Sequence, residues 1–104
     1  MKILLNTDNN ILGTEEMREP LEATIADAFE RYSDHLTRIE VKISDENGDK
    51  DSDDDKRCVL EVRLKGIQPL VVTSHGDTIE NAVDNAIDKM KTSLETVTGR
   101  LRSY

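Results

Sequence analysis

Between Leu70 and Leu94 the chain reads LVVTSHGDTIENAVDNAIDKMKTSL, a β-prone run, a break and a long amphipathic pattern in direct succession. Leu70, Val71 and Val72 favour a strand, and His75-Gly76 ends it. Asp77 can accept the first free backbone N–H of a helix while Glu80, three residues on, bonds back to it, as in a capping box. Ile79, Val83, Ala86, Met90 and Leu94 then recur every three or four residues and make one apolar stripe. A stripe of this length needs an apolar surface to cover, and the strand before it points to a sheet.

The rest of the chain supplies that sheet. Lys2–Asn6 reads as strand one and Asp8-Asn9-Asn10 as a turn. Thr14, Glu15 and Glu16 look like a helix start, and Met17, Leu21, Ile25, Ala28, Tyr32 and Leu36 carry helical spacing to about His35. Pro20 is discordant: either the helix begins there or its first turn is loosened there. Ile39, Val41 and Ile43 alternate with polar residues over Thr37–Ser44, and Cys58, Leu60, Val62 and Leu64 do so over Arg57–Lys65. That period of two gives each strand one buried and one wet face, as in an antiparallel sheet. Gln68–Ser74 is strand four, with Pro69 near its start, and helix two runs from Thr78 to about Thr98, with Gly99 as its stop. The expected fold is α+β: a two-layer β-α-β-β-β-α sandwich, its four-stranded, mostly antiparallel sheet carrying both helices on one face.

At 104 residues the chain suits one domain, spanning 1–104, and with only Phe29, Tyr32 and Tyr104 as aromatics its core must be aliphatic. A single cysteine, Cys58, excludes an internal disulfide framework and fits a reducing compartment. Met1–Leu5 is a strand-length run stopped by Asn6 and Asp8 rather than a secretory leader, and no apolar run approaches the roughly 20 residues of a membrane span. A cytoplasmic protein without a membrane partner is expected. The net charge of −8 is unevenly placed: residues 44–56 hold seven acids and two bases, or −5, leaving 15 acids and 12 bases, or −3, elsewhere. Clustered like charges resist packing, so a flexible acidic loop is expected over about 45–56.

No enzyme chemistry stands out. Asp45, Asn47 and Asp49 alternate like calcium ligands, but the positions needing Gly and Glu are Lys50 and Lys56. His35, His75 and Cys58 offer no ligand pair at metal spacing, and strand parity turns Cys58 inward. Glycines are too dispersed for a phosphate loop, so neither a cofactor nor a catalytic residue is expected. What remains is a distribution of bases. Outward sheet positions Arg38, Lys42, Arg57, Arg63 and Lys65 outnumber the outward acids Glu40 and Glu61, while Lys89, Lys91, Arg100 and Arg102 follow the acidic front half of helix two.

Element order and residues together resemble the ribosome hibernation-promoting factor family, which includes the ribosome-associated inhibitor and the sigma-54 modulation proteins. Ile3-Leu4-Leu5-Asn6, Asn10-Ile11 and Met17-Arg18 are similar to the family's opening. Asp77, Ile79, Ala82, Val83, Asp84, Ala86 and Asp88-Lys89-Met90 follow its helix-two pattern, D-x-hydrophobic-x-x-A-[IV]-D…D-K-L. SDENG at 44–48, DKRC at 55–58 and QPLVVTSH at 68–75 look like a short, tail-less subset. The resemblance implies a fold like a double-stranded RNA-binding domain and a partner, the small ribosomal subunit (rRNA and proteins), bound near its decoding region to repress translation in stress or stationary phase. It carries rRNA contact to Arg18, Lys89 and Lys91, and strand parity adds Arg57, Arg63 and Lys65. A weak homodimer is a further expectation. The chain departs from the family at Asp8-Asn9-Asn10, at Thr24 and Asp27, and at Glu95-Thr96-Val97-Thr98, where members carry bases. The alternative is a protein-interaction module on the same fold that has lost RNA binding.

Overall fold

The structure is a computed structural model that describes residues 2–7, 15–45 and 56–102, without the side chains of 15–17 and 100–102. The Asp8–Asn10 turn, the Thr14 helix start and the body of the acidic loop lie outside the described residues. Strand β1 (Lys2–Thr7) leads to helix α1 (Glu15–Phe29), and then come β2 (Leu36–Asp45), β3 (Lys56–Leu64), β4 (Ile67–Gly76) and helix α2 (Ile79–Arg102). The sheet order is β1-β2-β3-β4, with β1 parallel to β2 and the other two pairs antiparallel. Both helices pack on one face, as the sequence pattern requires.

Alternation decides which residues enter the core. Ile39, Val41 and Ile43 on β2, and Cys58, Leu60 and Val62 on β3, are essentially without solvent contact. They meet Leu21, Ile25 and Phe29 of α1 and Ala82, Val83, Ala86, Ile87, Met90 and Leu94 of α2. Each fully buried Leu, Ile or Met there contributes about 1.5–3 kcal/mol relative to exposure, so the helical layer is held mainly by this face.

Strand ends shift by one or two residues from the sequence reading, and the helix ends differ more. Helix α1 stops at Phe29, and a 3₁₀ turn (Glu30–Tyr32) leads into β2 through bonds from Ser33 N–H to Glu30 O (3.0 Å) and His35 N–H to Tyr32 O (2.9 Å). Phe29, Tyr32 and Leu36 are all buried, a spacing that suits the tighter turn as well as a continued helix. Pro20 lies inside α1, where it removes one bond near the end of the ladder. Helix α2 passes through Gly99 to Arg102: Gly66 is the one described glycine with a positive φ, so Gly99 forms no left-handed stop. Buried Thr98, whose hydroxyl donates to Leu94 O at 2.8 Å, lies just before it. At the other end of α2 the cap is Thr78, whose Oγ1 accepts from Asn81 N–H at 3.0 Å, rather than Asp77.

Candidate nucleic-acid interface

The sheet face opposite the helices is open, and register sorts its side chains into cross-strand rows. Lys2, Arg38 and Arg63 are successive neighbours across β1, β2 and β3. The next row is Leu4, Glu40, Glu61 and Val71, followed by Asn6, Lys42, Val59 and Thr73, and then Ser44, Arg57 and His75. Like charges directly opposite each other repel, so a row of three cations needs compensation. It comes from along the strands: Arg38 Nη2 pairs with Glu40 Oε1, and Arg63 Nε with Glu61 Oε2 at 3.2 Å. Partial desolvation pushes the Glu40 carboxyl up, but Arg38, bonded to it, and Arg63 beyond outweigh that and hold it below its ordinary value. The side chains of Lys2, Lys42 and Lys65 make no ion pair with another described residue.

Of the six expected contact residues, Arg63 falls at this end of the open face beside Arg38 and Lys2, whereas Lys65, expected on β3 by parity, is exposed in the turn just past the strand, which ends at Leu64. Arg57 is on the same face at the far end, beside His75 and a cleft of about 290 Å³ whose lining includes Asn6, Lys42, Ser44 and Val59. The other three belong to the helical layer. Half-buried Arg18 donates from Nη2 to Leu5 O at 3.0 Å, fastening α1 to β1, and its buried Nε has no partner among the described residues. Lys89 Nζ donates to Thr73 O of β4 at 2.9 Å. Lys91 lies about 200° round α2 from Lys89. Its flank carries Glu95, which bonds Tyr32 Oη at 3.3 Å and pairs with Arg31 at 3.6 Å. The six therefore make no single patch. Lys2 is the basic neighbour that sequence pattern misses, because only the parallel pairing of β1 with β2 places it beside Arg38.

Cys58, inward as parity required, is a buried thiol pushed up to about 12 by desolvation, which makes it a small hydrophobe rather than a nucleophile. Among the described residues, no helix is long and apolar enough to cross a membrane.

Residues 6–102 match the family described as sigma 54 modulation protein / S30EA ribosomal protein. The chain belongs to that family. Its members are non-enzymatic factors, as the lack of a catalytic motif in the sequence suggested. Two solved structures share the fold. A ribosomal subunit interface protein from Coxiella burnetii is 18% identical with a TM-score of 0.72, covering 95% of this chain and 99% of its own. The N-terminal domain of Thermus thermophilus Protein Y is 23% identical with a TM-score of 0.74, covering 93% of this chain and 99% of its own. None of the curated proteins matches the chain.

Proposed function

We propose that this protein binds the small ribosomal subunit near its decoding region in the cytoplasm and represses translation in stress or stationary phase. The observation that carries this reading is the family match across residues 6–102; the Coxiella protein of the same fold is itself a ribosomal subunit interface protein. Within the site, the reading favours the Lys2, Arg38 and Arg63 end of the open face, with Lys65 in the turn just past β3, so that four bases stand against Glu40 and Glu61. Lys2 and Lys65 are exposed and bring charge that no described acid takes up.

The test is co-sedimentation of the purified protein with small subunits at two salt concentrations. Four phosphate contacts would lower affinity roughly 50- to 150-fold between about 50 and 200 mM salt. Lys2→Glu with Lys65→Glu should abolish binding. Loss on Lys89→Glu with Lys91→Glu instead would move the contact to the helical layer. A wild-type protein that fails to co-sediment even at low salt would overturn the reading. It would favour the second one, a protein-interaction module. That alternative draws support from four bases already engaged within the fold: Arg18 with Leu5, Arg38 with Glu40, Arg63 with Glu61 and Lys89 with Thr73. In that case a defined protein partner should be lost on Arg63→Glu.

A further inference from the structure

Strand β4 is an edge of the sheet, ten residues long, and such an edge is a template for strand addition by another chain. Its outward groups belong to alternate residues. Arg63 O is taken by the Thr37 hydroxyl of β2 at 3.2 Å, so Arg63 and the residues of its parity on β3 turn toward β2. Val62, Leu60 and Cys58 therefore turn toward their β4 partners Leu70, Val72 and Ser74, leaving Pro69, Val71, Thr73 and His75 turned outward.

Helix α2 meets this outward set with a polar ladder. Asn85 Nδ2 donates to His75 O at 2.9 Å, and Lys89 Nζ to Thr73 O at 2.9 Å. One turn earlier, Asn81 Nδ2 donates to Asp77 Oδ1 at 2.5 Å, just past the strand end. The spacing suits the job: four helical residues rise about 6 Å, and two strand residues cover about 6.8 Å. The next rung falls at Ser93, whose short side chain bonds its own helix at Lys89 O, 3.4 Å away. Opposite that gap Val71 is 55% exposed, the large hydrophobic that stands out among the described residues. Beyond it Pro69 has no N–H to offer.

We propose that Asn85 and Lys89, with Pro69, close the outer edge of β4 against pairing with a second copy of this chain. Thr73 and His75 have their carbonyls occupied and Pro69 lacks a donor, so Val71 alone presents an open pair of backbone groups. Lys89 is then an edge guard as well as a surface charge, and any homodimer uses another surface. The test is the mass-average molar mass of Asn85→Ala/Lys89→Ala across a concentration series, by sedimentation equilibrium. Raised salt screens repulsion between two chains of net charge −8. The mass should climb above that of the wild type at each concentration, with Lys89→Ala alone giving a smaller excess. Adding Val71→Lys to the double variant should restore the wild-type mass. A folded double variant, verified by circular dichroism, whose mass matches the wild type throughout would overturn the proposal. Association that Val71→Lys leaves unchanged would overturn it too, since the contact would then lie elsewhere.

Discussion

A single methyl group at Gly76 should loosen the docking of α2. Gly76 is the buried last residue of β4, and a Cβ there would stand 2.5 Å from Ala82 N, 2.9 Å from Asn81 C and 3.0 Å from Ala82 Cα. These are backbone atoms of the helix's first turn, so no side chain can rotate away. Ordinary contact begins near 3.4 Å, and strand and helix must part by about 1 Å at this point. Overpacking of this kind costs about 1–3 kcal/mol, and a rigid obstacle places it near 3. Alanine also restricts the unfolded chain, which offsets about 0.4–1 kcal/mol. Gly76→Ala should therefore destabilise by about 2 kcal/mol, or roughly 8–16 °C in Tm for a domain of this size. Gly99→Ala is the control. No atom lies within 4 Å of its Cβ position, and it sits in a helix interior, so it should stabilise by about 0.5–1 kcal/mol. Urea unfolding of both variants reads the difference, with an unchanged m-value showing that the unfolded state is comparable. A Gly76→Ala protein within about 0.5 kcal/mol of wild type would refute the close approach.

Two titrations make further expectations. Cys58, ordinarily near 9.0 and pushed up to about 12 by burial, stays protonated in the fold while the unfolded chain ionises, so its contribution is intact below 9.0 and lost toward 12. The stability difference between wild type and Cys58→Ala should thus fall by about 1.4 kcal/mol per pH unit in that window, and parallel curves would refute the burial argument. Glu40 runs the other way: held below 4.5, it stabilises above that value and loses its contribution as pH falls through its folded value. Its carboxyl resonance should titrate below an ordinary glutamate and move up in Arg38→Gln; no movement would show that Arg38 is not the cause.

Period-two alternation was enough to orient β2 and β3, because an inward Ile39 or Leu60 forces every other residue outward. The α2 stripe was legible for the same reason, and Ala82 and Ile87 only widened it. Local signals were weaker where two geometries share one spacing. Phe29, Tyr32 and Leu36 fit either a 3₁₀ turn or a longer helix, and Asp77 and Thr78 are both good caps. The candidate site was least legible, because it depends on pairing between distant segments. Nothing in Lys2 itself says that it neighbours Arg38, and nothing in Asn85 and Lys89 says that they reach the outer carbonyls of β4.

That dependence on pairing also governs how the acidity of the chain bears on its proposed partner. Residues 44–56 carry −5 of the total −8, and they are anchored at the Asp45 and Lys56 end of β2 and β3, where Lys56 Nζ pairs with Asp45 at 3.3 Å. Arg38 is seven residues up the strand from Asp45, roughly 23 Å away at about 3.3 Å per residue. The Debye length at physiological salt is about 8 Å, so the charge of Asp45 itself is largely screened at the Lys2–Arg38–Arg63 row. A phosphate at that row meets three bases, with Glu40 and Glu61 in the next row, whereas one approaching Arg57 meets the root of the acidic segment. Net charge describes the molecule at a distance and at low salt. At contact the two ends of one sheet face differ, with the Lys2–Arg38–Arg63 row at one and the ion-paired Asp45 and Lys56 at the other.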